Sequence, residues 1–395
     1  MPATRHVLLI GYRPQIATRL HELDIPFDIW HDRPIKKQQI AGARRVIDDS
    51  PFLKSIAAIK QQLTTLFPAN SQYSHVIAGT ESSVVTASVA RRAFGSRKSK
   101  NTVILRCHNK RMMKEFLRDK GFPLIPFLYS GSTTDTHLTT TQIVAELGLP
   151  VVVKQLNTSG GRGMVIVHTE DELRPYLQQR VLFEKWIDAP EVSVESFISG
   201  RNHRFINITQ YVEKTLVNLV PSDHVSSVHQ SVGELNRKIL MALNIEWGLT
   251  HAEYYLANDQ IYFGEIAIRP PGGYLMDLIS LAYGFNAWDH FVDNELERPT
   301  EFSQTASFSA AAILFDPGAG TLVAVEGEAA IESDPRCQKL HLFVGPGDTI
   351  LPRQGVSDVA GFALFRGSTA ADVLDAVAQC KTELKFQIEK KNETC

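Results

Sequence analysis

The hydrophobic and polar positions change period several times along the chain, and each change predicts an element. HVLLIGY and PFDIW are apolar runs that read as buried strands, PQIATRLHEL has helical spacing, and HVIAGTE reads as a strand followed by the helix SSVVTASVARRAFG. Strand and helix alternating in this way predict an open α/β sheet at the start of the chain. The single glycine of LLIGYRP cannot supply the GxGxxG turn of a dinucleotide site, which leaves this region a substrate-binding or supporting role. Asn109 can cap a helix KRMMKEFLRDK that ends at Gly121 and keeps Met113, Phe116 and Leu117 on its apolar side. GSTTDTHLTTT reads as a solvated connection, after which Thr141 is the expected cap of the short helix QIVAELG.

The next stretch, VVVKQLNTSGGRGMVIV, sets Lys154 at the end of a β-branched run and Gly160, Gly161 and Gly163 between two strands. Such glycines allow tight curvature and expose successive N–H groups, which suits a phosphate. It is not a Walker A loop: the lysine precedes the glycines, no GK[ST] follows, and the chain returns to a strand. A long hairpin with a flexible tip is the alternative. VLFEKWIDAPEVSVESFISG then offers Glu184, Lys185, Trp186 and Ile187 at the end of one strand and Glu191 at the head of another. An extended edge can present backbone groups to an adenine, and a carboxylate a few residues on can accept from ribose hydroxyls. Taken alone, both glutamates could equally be solvated hairpin charges.

The sharpest chemical signal is GLTHAEYYLANDQIYFGEIAIRPPGGYL. Two alternating strands joined by the turn AND bring Glu253 and Glu265 side by side on one face of a hairpin. Adjacent carboxylates repel each other and lose hydration unless a cation lies between them, which argues for magnesium. Arg269 ends the second strand and leads into Gly272 and Gly273, a guanidinium beside bared N–H groups. That cluster suits a transferring phosphoryl group or an acyl phosphate.

Composition narrows the partners. At 395 residues the chain should hold two or three domains. Hydrophobic content of 44%, charged content of 21% and a net charge of −2 give no broad reason to bind nucleic acid or an anionic membrane. MPATRHVLLIGY is too short an apolar run for a secretory signal and AAAILF cannot span a bilayer, so a cytoplasmic protein with a small-molecule partner is expected. Cys107, Cys337, Cys380 and Cys395 form no CxxC or Cys/His cluster, which argues against a zinc site or a disulfide framework. Cys107 is read as a buried structural thiol.

The ordered set of Lys110, Lys154, the loop from Gly160 to Gly163, Glu184 with its EKWI segment, Glu191, and Glu253 and Glu265 with ExxxR ending in GG resembles the ATP-grasp carboxylate ligases. It is most similar to their amino-acid and dipeptide ligase branch, which shares a frame with biotin carboxylase and D-alanine ligase. The resemblance covers nearly the whole chain. It implies an ATP-grasp fold of mixed α/β and α+β type: an N-terminal open α/β domain at 1–108, a small lobe and lid at 109–187, and a large antiparallel-sheet lobe with a carboxylase-like C-terminal region at 188–395. It also implies that Lys110 and Lys154 hold ATP phosphates, that the loop of Gly160, Gly161 and Gly163 closes over them, and that Glu184 to Ile187 read adenine. Glu191 would bind ribose, Glu253 and Glu265 magnesium, and Arg269 phosphate and substrate. Ala267 departs from the pattern: many members carry an asparagine there as an additional metal ligand, so a water, a substrate oxygen or the two glutamates alone must serve.

The activity implied is phosphoryl transfer from ATP to a small carboxylate, then attack by an amine, with no enzyme nucleophile. A lid around 125–187, hinged near its glycines, would exclude water. A carboxylase or formyl-phosphate ligase on the same frame and a non-catalytic ATP-binding regulatory module are the alternatives, and a homodimer is compatible with either. In the last hundred residues SFSAAAILF, KLHLFV and GFALFRG read as strands, and Thr369 caps the helix STAADVLDAVAQC. His224 and His229, in LVPSDHVSSVHQS ahead of the helix VGELNRKILMALN, are the candidates for touching substrate.

Overall fold

The computed structural model describes residues 6–35, 40–96, 101–131, 138–158, 160–224, 226–258 and 260–390. The threonine-rich connection at 132–137, the turn residue Asp259 and Cys395 lie outside them. Among the described residues no helix is long and apolar enough to cross a membrane.

The first layer is the expected open sheet. Its four strands are parallel, in the order Ala43–Ile47, Phe27–Trp30, Val7–Ile10, His75–Ala78. VLLI and FDIW are buried throughout, as strands covered on both faces must be, and this is why they show no alternation. The strand Ala43–Ile47 carries two arginines in ARRVI, reads poorly as a strand, and lies at the edge where its exposed residues meet solvent. The order reverses direction between Val7–Ile10 and His75–Ala78, and in open sheets of this kind that switch point lies under the ligand crevice. Two loops meet there with no space between them, since a Cβ on Gly79 would lie 2.0 Å from the Gly11 carbonyl oxygen. The close approach aims Arg13 and Glu81 out of the sheet toward the rest of the molecule, with Arg13 Nε donating to the Gly79 carbonyl at 3.1 Å.

Asn109 caps the helix Lys110–Arg118, its side chain accepting from the Met112 amide at 3.0 Å. A four-stranded antiparallel sheet follows, in the order Phe127–Ser130, Val181–Lys185, Val151–Gln155, Val165–Val167. The helix Thr140–Leu147 that backs it is capped by Thr139 rather than the expected Thr141. The reason is local: Gln142 stands three residues after Thr139 and closes a reciprocal capping box with it, while the Thr141 hydroxyl is taken by Glu170 at 2.9 Å.

The large lobe is one eight-stranded sheet, ordered Ile261–Ala267, Gly248–Leu256, Glu191–Ser199, Asn202–Glu213, Val217–Val220, Ser309–Phe315, Gly361–Gly367, Cys337–Leu342. The three C-terminal strands anticipated from sequence therefore extend the same sheet instead of forming a separate layer. A smaller sheet of Gly320–Glu326, Thr349–Ile350 and Lys385–Glu389 stands beside them. Thr369 caps the helix Ala370–Glu383 as expected, accepting from Asp372 N at 3.2 Å. The helix Ser226–Leu243 packs on one face of the large sheet, where Val192, Val194, Ala252, Tyr254 and Ile266 join its apolar side. Because strand side chains alternate, their odd-numbered neighbours are turned to the opposite face, and that face carries the chemistry.

Candidate active site

The opposite face is a polar grid. Ser193, Glu253 and Glu265 are cross-strand partners in one row, and Glu195, His251 and Ala267 in the next. The expected pairing of Glu253 with Glu265 is therefore present in register. The grid floors a cleft of about 420 Å³ that is also lined by Lys110, Lys154, Gly160, Gly161, Glu191, Arg269, Gly272 and Gly273. Its size is that of a small-molecule pocket.

Charge is distributed in alternation over this surface. Lys110 Nζ is 2.8 Å from Glu265 Oε2 and donates to the Thr158 carbonyl at 2.6 Å. Lys154 Nζ is 2.7 Å from Glu184 Oε2, and the second oxygen of Glu184 is 2.8 Å from Lys114 Nζ. Lys114 and Glu184 are both buried. Burial by itself would raise the Glu184 carboxyl, but the two ammonium groups outweigh it and hold it at about 2. The buried Lys114 is pulled down by desolvation, while Lys154 is raised because Glu184 and Glu265 outweigh its burial. Glu253 is likewise held at about 2 against its burial, chiefly by His251. Glu191 goes the other way, raised by burial and by the charge of Glu253, although Lys214 is 2.6 Å away.

The glycine loop adopts the backbone that only glycine takes readily, with φ of +63° at Gly160, +75° at Gly161 and +67° at Gly163. It rests on the C-terminal region: Val356 N–H donates to the Gly160 carbonyl at 3.1 Å, and Arg162 reaches Ser357 Oγ at 3.2 Å and Asp358 Oδ1 at 3.4 Å. At the other end of the cleft Arg269 is paired with Glu81 and donates to the Pro270 carbonyl at 2.8 Å. Glu81 also meets His108 Nδ1 at 3.0 Å, and the Arg269 charge together with the hydrogen bond to His108 holds its carboxyl far below the usual range in spite of burial.

Several anticipated residues lie elsewhere. Glu184, Lys185, Trp186, Ile187 and Gly163 do not border the cleft. Glu184 stands behind Lys154, and the amides of Lys185 and Trp186 are already bonded to the carbonyls of Pro126 at 3.0 Å and Pro150 at 3.3 Å. His224 and His229 do not border it either. The helix begins at Ser226, earlier than its apolar spacing indicated, so His229 lies within its first turns and its imidazole is lowered by burial and by His224. Cys107 borders the cleft but is buried, and burial pushes its thiol up to about 12, far from a nucleophile's range. Sequence reasoning missed Arg13, Glu81, His108, Glu195 and His251. Only the alternation H-x-E in THAEYYL and E-x-S-x-E in EVSVESF hinted at the last two.

Residues 115–277 match the ATP-grasp domain family, so this part of the chain is an ATP-grasp domain. Residues 312–389 match the L-amino acid ligase C-terminal domain 2. An L-arginine-specific L-amino acid ligase of Bacillus subtilis is 23% identical over 263 residues, covering 62% of this chain and 62% of that protein. The chain thus matches somewhat under two thirds of that relative's length. The crystal structure of an L-amino acid ligase from Bacillus licheniformis superimposes with a TM-score of 0.79 at 18% identity, covering 98% of this chain and 99% of the other. That of a carboxyaminoimidazole ribonucleotide synthase from Aspergillus clavatus complexed with ATP gives 0.73 at 18% identity, covering 96% and 98%. At these identities the two structures establish a shared fold.

Proposed function

We propose that the protein is an ATP-dependent carboxylate–amine ligase that activates a small carboxylate, an amino acid or a related acid, as an acyl phosphate and joins it to an amine, releasing ADP and phosphate. The observation that supports this most directly is the register pairing of Glu253 with Glu265 in a cleft that Lys110, Lys154 and Arg269 also line. Phosphoryl transfer asks a protein for positioning and for cations around a spreading negative charge, and that is what these side chains offer.

The donor set fits magnesium. Two neighbouring carboxylates are the oxygen ligands it prefers, and it fills its other positions with waters and substrate phosphates. Among the described residues no group of three His, Cys, Asp or Glu side chains is placed to hold a metal ion, and Ala267 adds no donor, so the protein's share is small, as that mode of binding requires. Magnesium held there would neutralise phosphate charge and polarise the transferred group. Lys110 and Lys154 take the ATP phosphates, exchanging their contacts with Glu265 and Glu184, and the loop of Gly160 to Gly163 covers them. The adenine would extend past Lys154, beyond the walls of the cleft, to reach Glu184 to Ile187. Glu191, a buried carboxylate that meets Lys214 at 2.6 Å, accepts from the ribose. Arg269 and the Gly272–Gly273 turn hold the carboxylate as it is phosphorylated, and the lid keeps water from the acyl phosphate.

Incubation with ATP, magnesium, hydroxylamine and a panel of carboxylates tests the reading. The right acid should give ADP and a hydroxamate, and Arg269→Ala should lose most of the hydroxamate while still binding ATP. Release of AMP, or a normal rate in Arg269→Ala, would refute the mechanism. Strict dependence on bicarbonate would identify a carboxylase, and ATP binding without carboxylate-dependent hydrolysis a regulatory module.

A further inference from the structure

Three arginines, Arg13, Arg162 and Arg269, line the cleft. Arg162 is paired with Asp358 and Arg269 with Glu81. Arg13 has no such partner among the described residues: its Nε donates to the Gly79 carbonyl at 3.1 Å, and both Nη groups are left without a protein acceptor. A guanidinium fastened at Nε is fixed in orientation, and its two Nη groups offer the parallel donors that a carboxylate accepts in bidentate fashion. Holding it half-buried next to a second guanidinium costs stability unless an anion joins it, and burial and the charge of Arg269 both pull Arg13 below its ordinary value. Asp277, which borders the same cleft, offsets this only from beyond ion-pair range. Glu253 and Glu265 are not among the groups that act on Arg13, so its charge belongs to the substrate end of the cleft and not to the phosphoryl site.

We propose that Arg13 binds a second substrate carboxylate, one that is never phosphorylated. The inference rests on the ligase reading, in which Arg269 and the Gly272–Gly273 turn already hold the carboxylate that is activated. Glu81 offsets part of the Arg269 charge, which suits a group that turns from anion into acyl phosphate and then leaves. The uncompensated charge of Arg13 suits an anion that passes through the reaction unchanged. Such a contact is equal before and during transfer, so its loss appears in KM more than in kcat. The carboxylate is carried either by the activated acid, making it a dicarboxylate, or by the amine, making it an amino acid.

Paired substrates on the full-length chain with ATP and magnesium provide the test, in two arms. In the acid arm hydroxylamine is the amine, and aspartate, glutamate and succinate are compared with asparagine, glutamine and succinamate. In the amine arm the acid that gives most hydroxamate is held fixed, and free amino acids are compared with their α-carboxamides. One arm should show the free carboxylate favoured over its amide by about tenfold to a hundredfold in kcat/KM, the worth of a hydrogen-bonded charge, and the arm that shows it identifies the carrier. In Arg13→Gln that preference should fall to near unity. Wild-type enzyme that shows no preference in either arm, or a preference that survives Arg13→Gln, would overturn the role of Arg13 and leave the ligase reading standing. Absence of acid-dependent ADP release across the panel would overturn both. The wild-type comparison alone can refute the assignment, and a ratio taken within one variant does not depend on how much of it folds.

Discussion

Glu184→Gln removes the one negative charge that serves two lysines, at 2.8 Å from Lys114 and 2.7 Å from Lys154. The amide keeps the volume but leaves Lys114, buried beyond the reach of solvent, without a counter-ion. Breaking a buried pair in this way costs about 3–5 kcal/mol. A second route gives a similar figure. With the carboxyl held at about 2 against an ordinary 4.5, linkage assigns the charge roughly 3 kcal/mol at neutral pH. Because the folded value is depressed, this stabilisation is fully present above the ordinary value and is lost as pH falls from about 4.5 toward about 2. About 1 kcal/mol should therefore be gone by roughly pH 4. The lobe can open by itself, so hydrogen exchange is the proper assay. At neutral pH the amides of Val151–Gln155 and Val181–Lys185 should exchange on the order of a hundredfold faster in the variant, and the gap should narrow as the pH is lowered below about 4.5. Unchanged protection at neutral pH would show that Glu184 does not stabilise the lid, and a gap that widens on acidification would show that the sign has been assigned wrongly.

Glu265→Gln should reduce carboxylate-dependent ADP release by about a hundredfold or more while leaving the thermal melt unchanged, because Glu265 is a part-exposed side chain bonded to Lys110 and not a packing residue. Lys154→Ala should weaken an ATP analogue more than the carboxylate substrate; calorimetry with equal losses for both would remove the lysine from the nucleotide site. Arg162→Ala cuts an exposed contact between the glycine loop and Asp358 worth under about 1 kcal/mol. It should speed nucleotide release measured by stopped flow by no more than about fivefold, and a much larger acceleration would mean that the loop is held by that contact rather than by the Val356 amide.

The hairpin of Glu253 and Glu265 was legible from sequence because every constraint on it is local. A two-residue period and a short turn decide which side chains become neighbours, and the chain needs no distant information to make them so. The same is true of the helix that Asn109 caps and of the glycine loop. Where local signals were degenerate, the reading slipped: in a run of threonines only the distance to Gln142 selects Thr139 as the cap. His224 and His229 show a different limit, since polarity marks a segment as solvated without saying which way it faces. Glu81, His108 and Arg13 were invisible for a stronger reason. They reach the cleft because a parallel sheet reverses its strand order at 7–10 and 75–78, and because Arg269, 188 residues from Glu81, comes to rest against it. Likewise Glu195 acquires its partner His251 only when two strands 56 residues apart pair in one register. Sequence determined the elements and the chemistry carried by each, since periodicity and turn geometry act over a few residues. Tertiary structure decided which charges face one another, because the contacts that bury and orient them are made between segments whose separation along the chain carries no record of their distance in space.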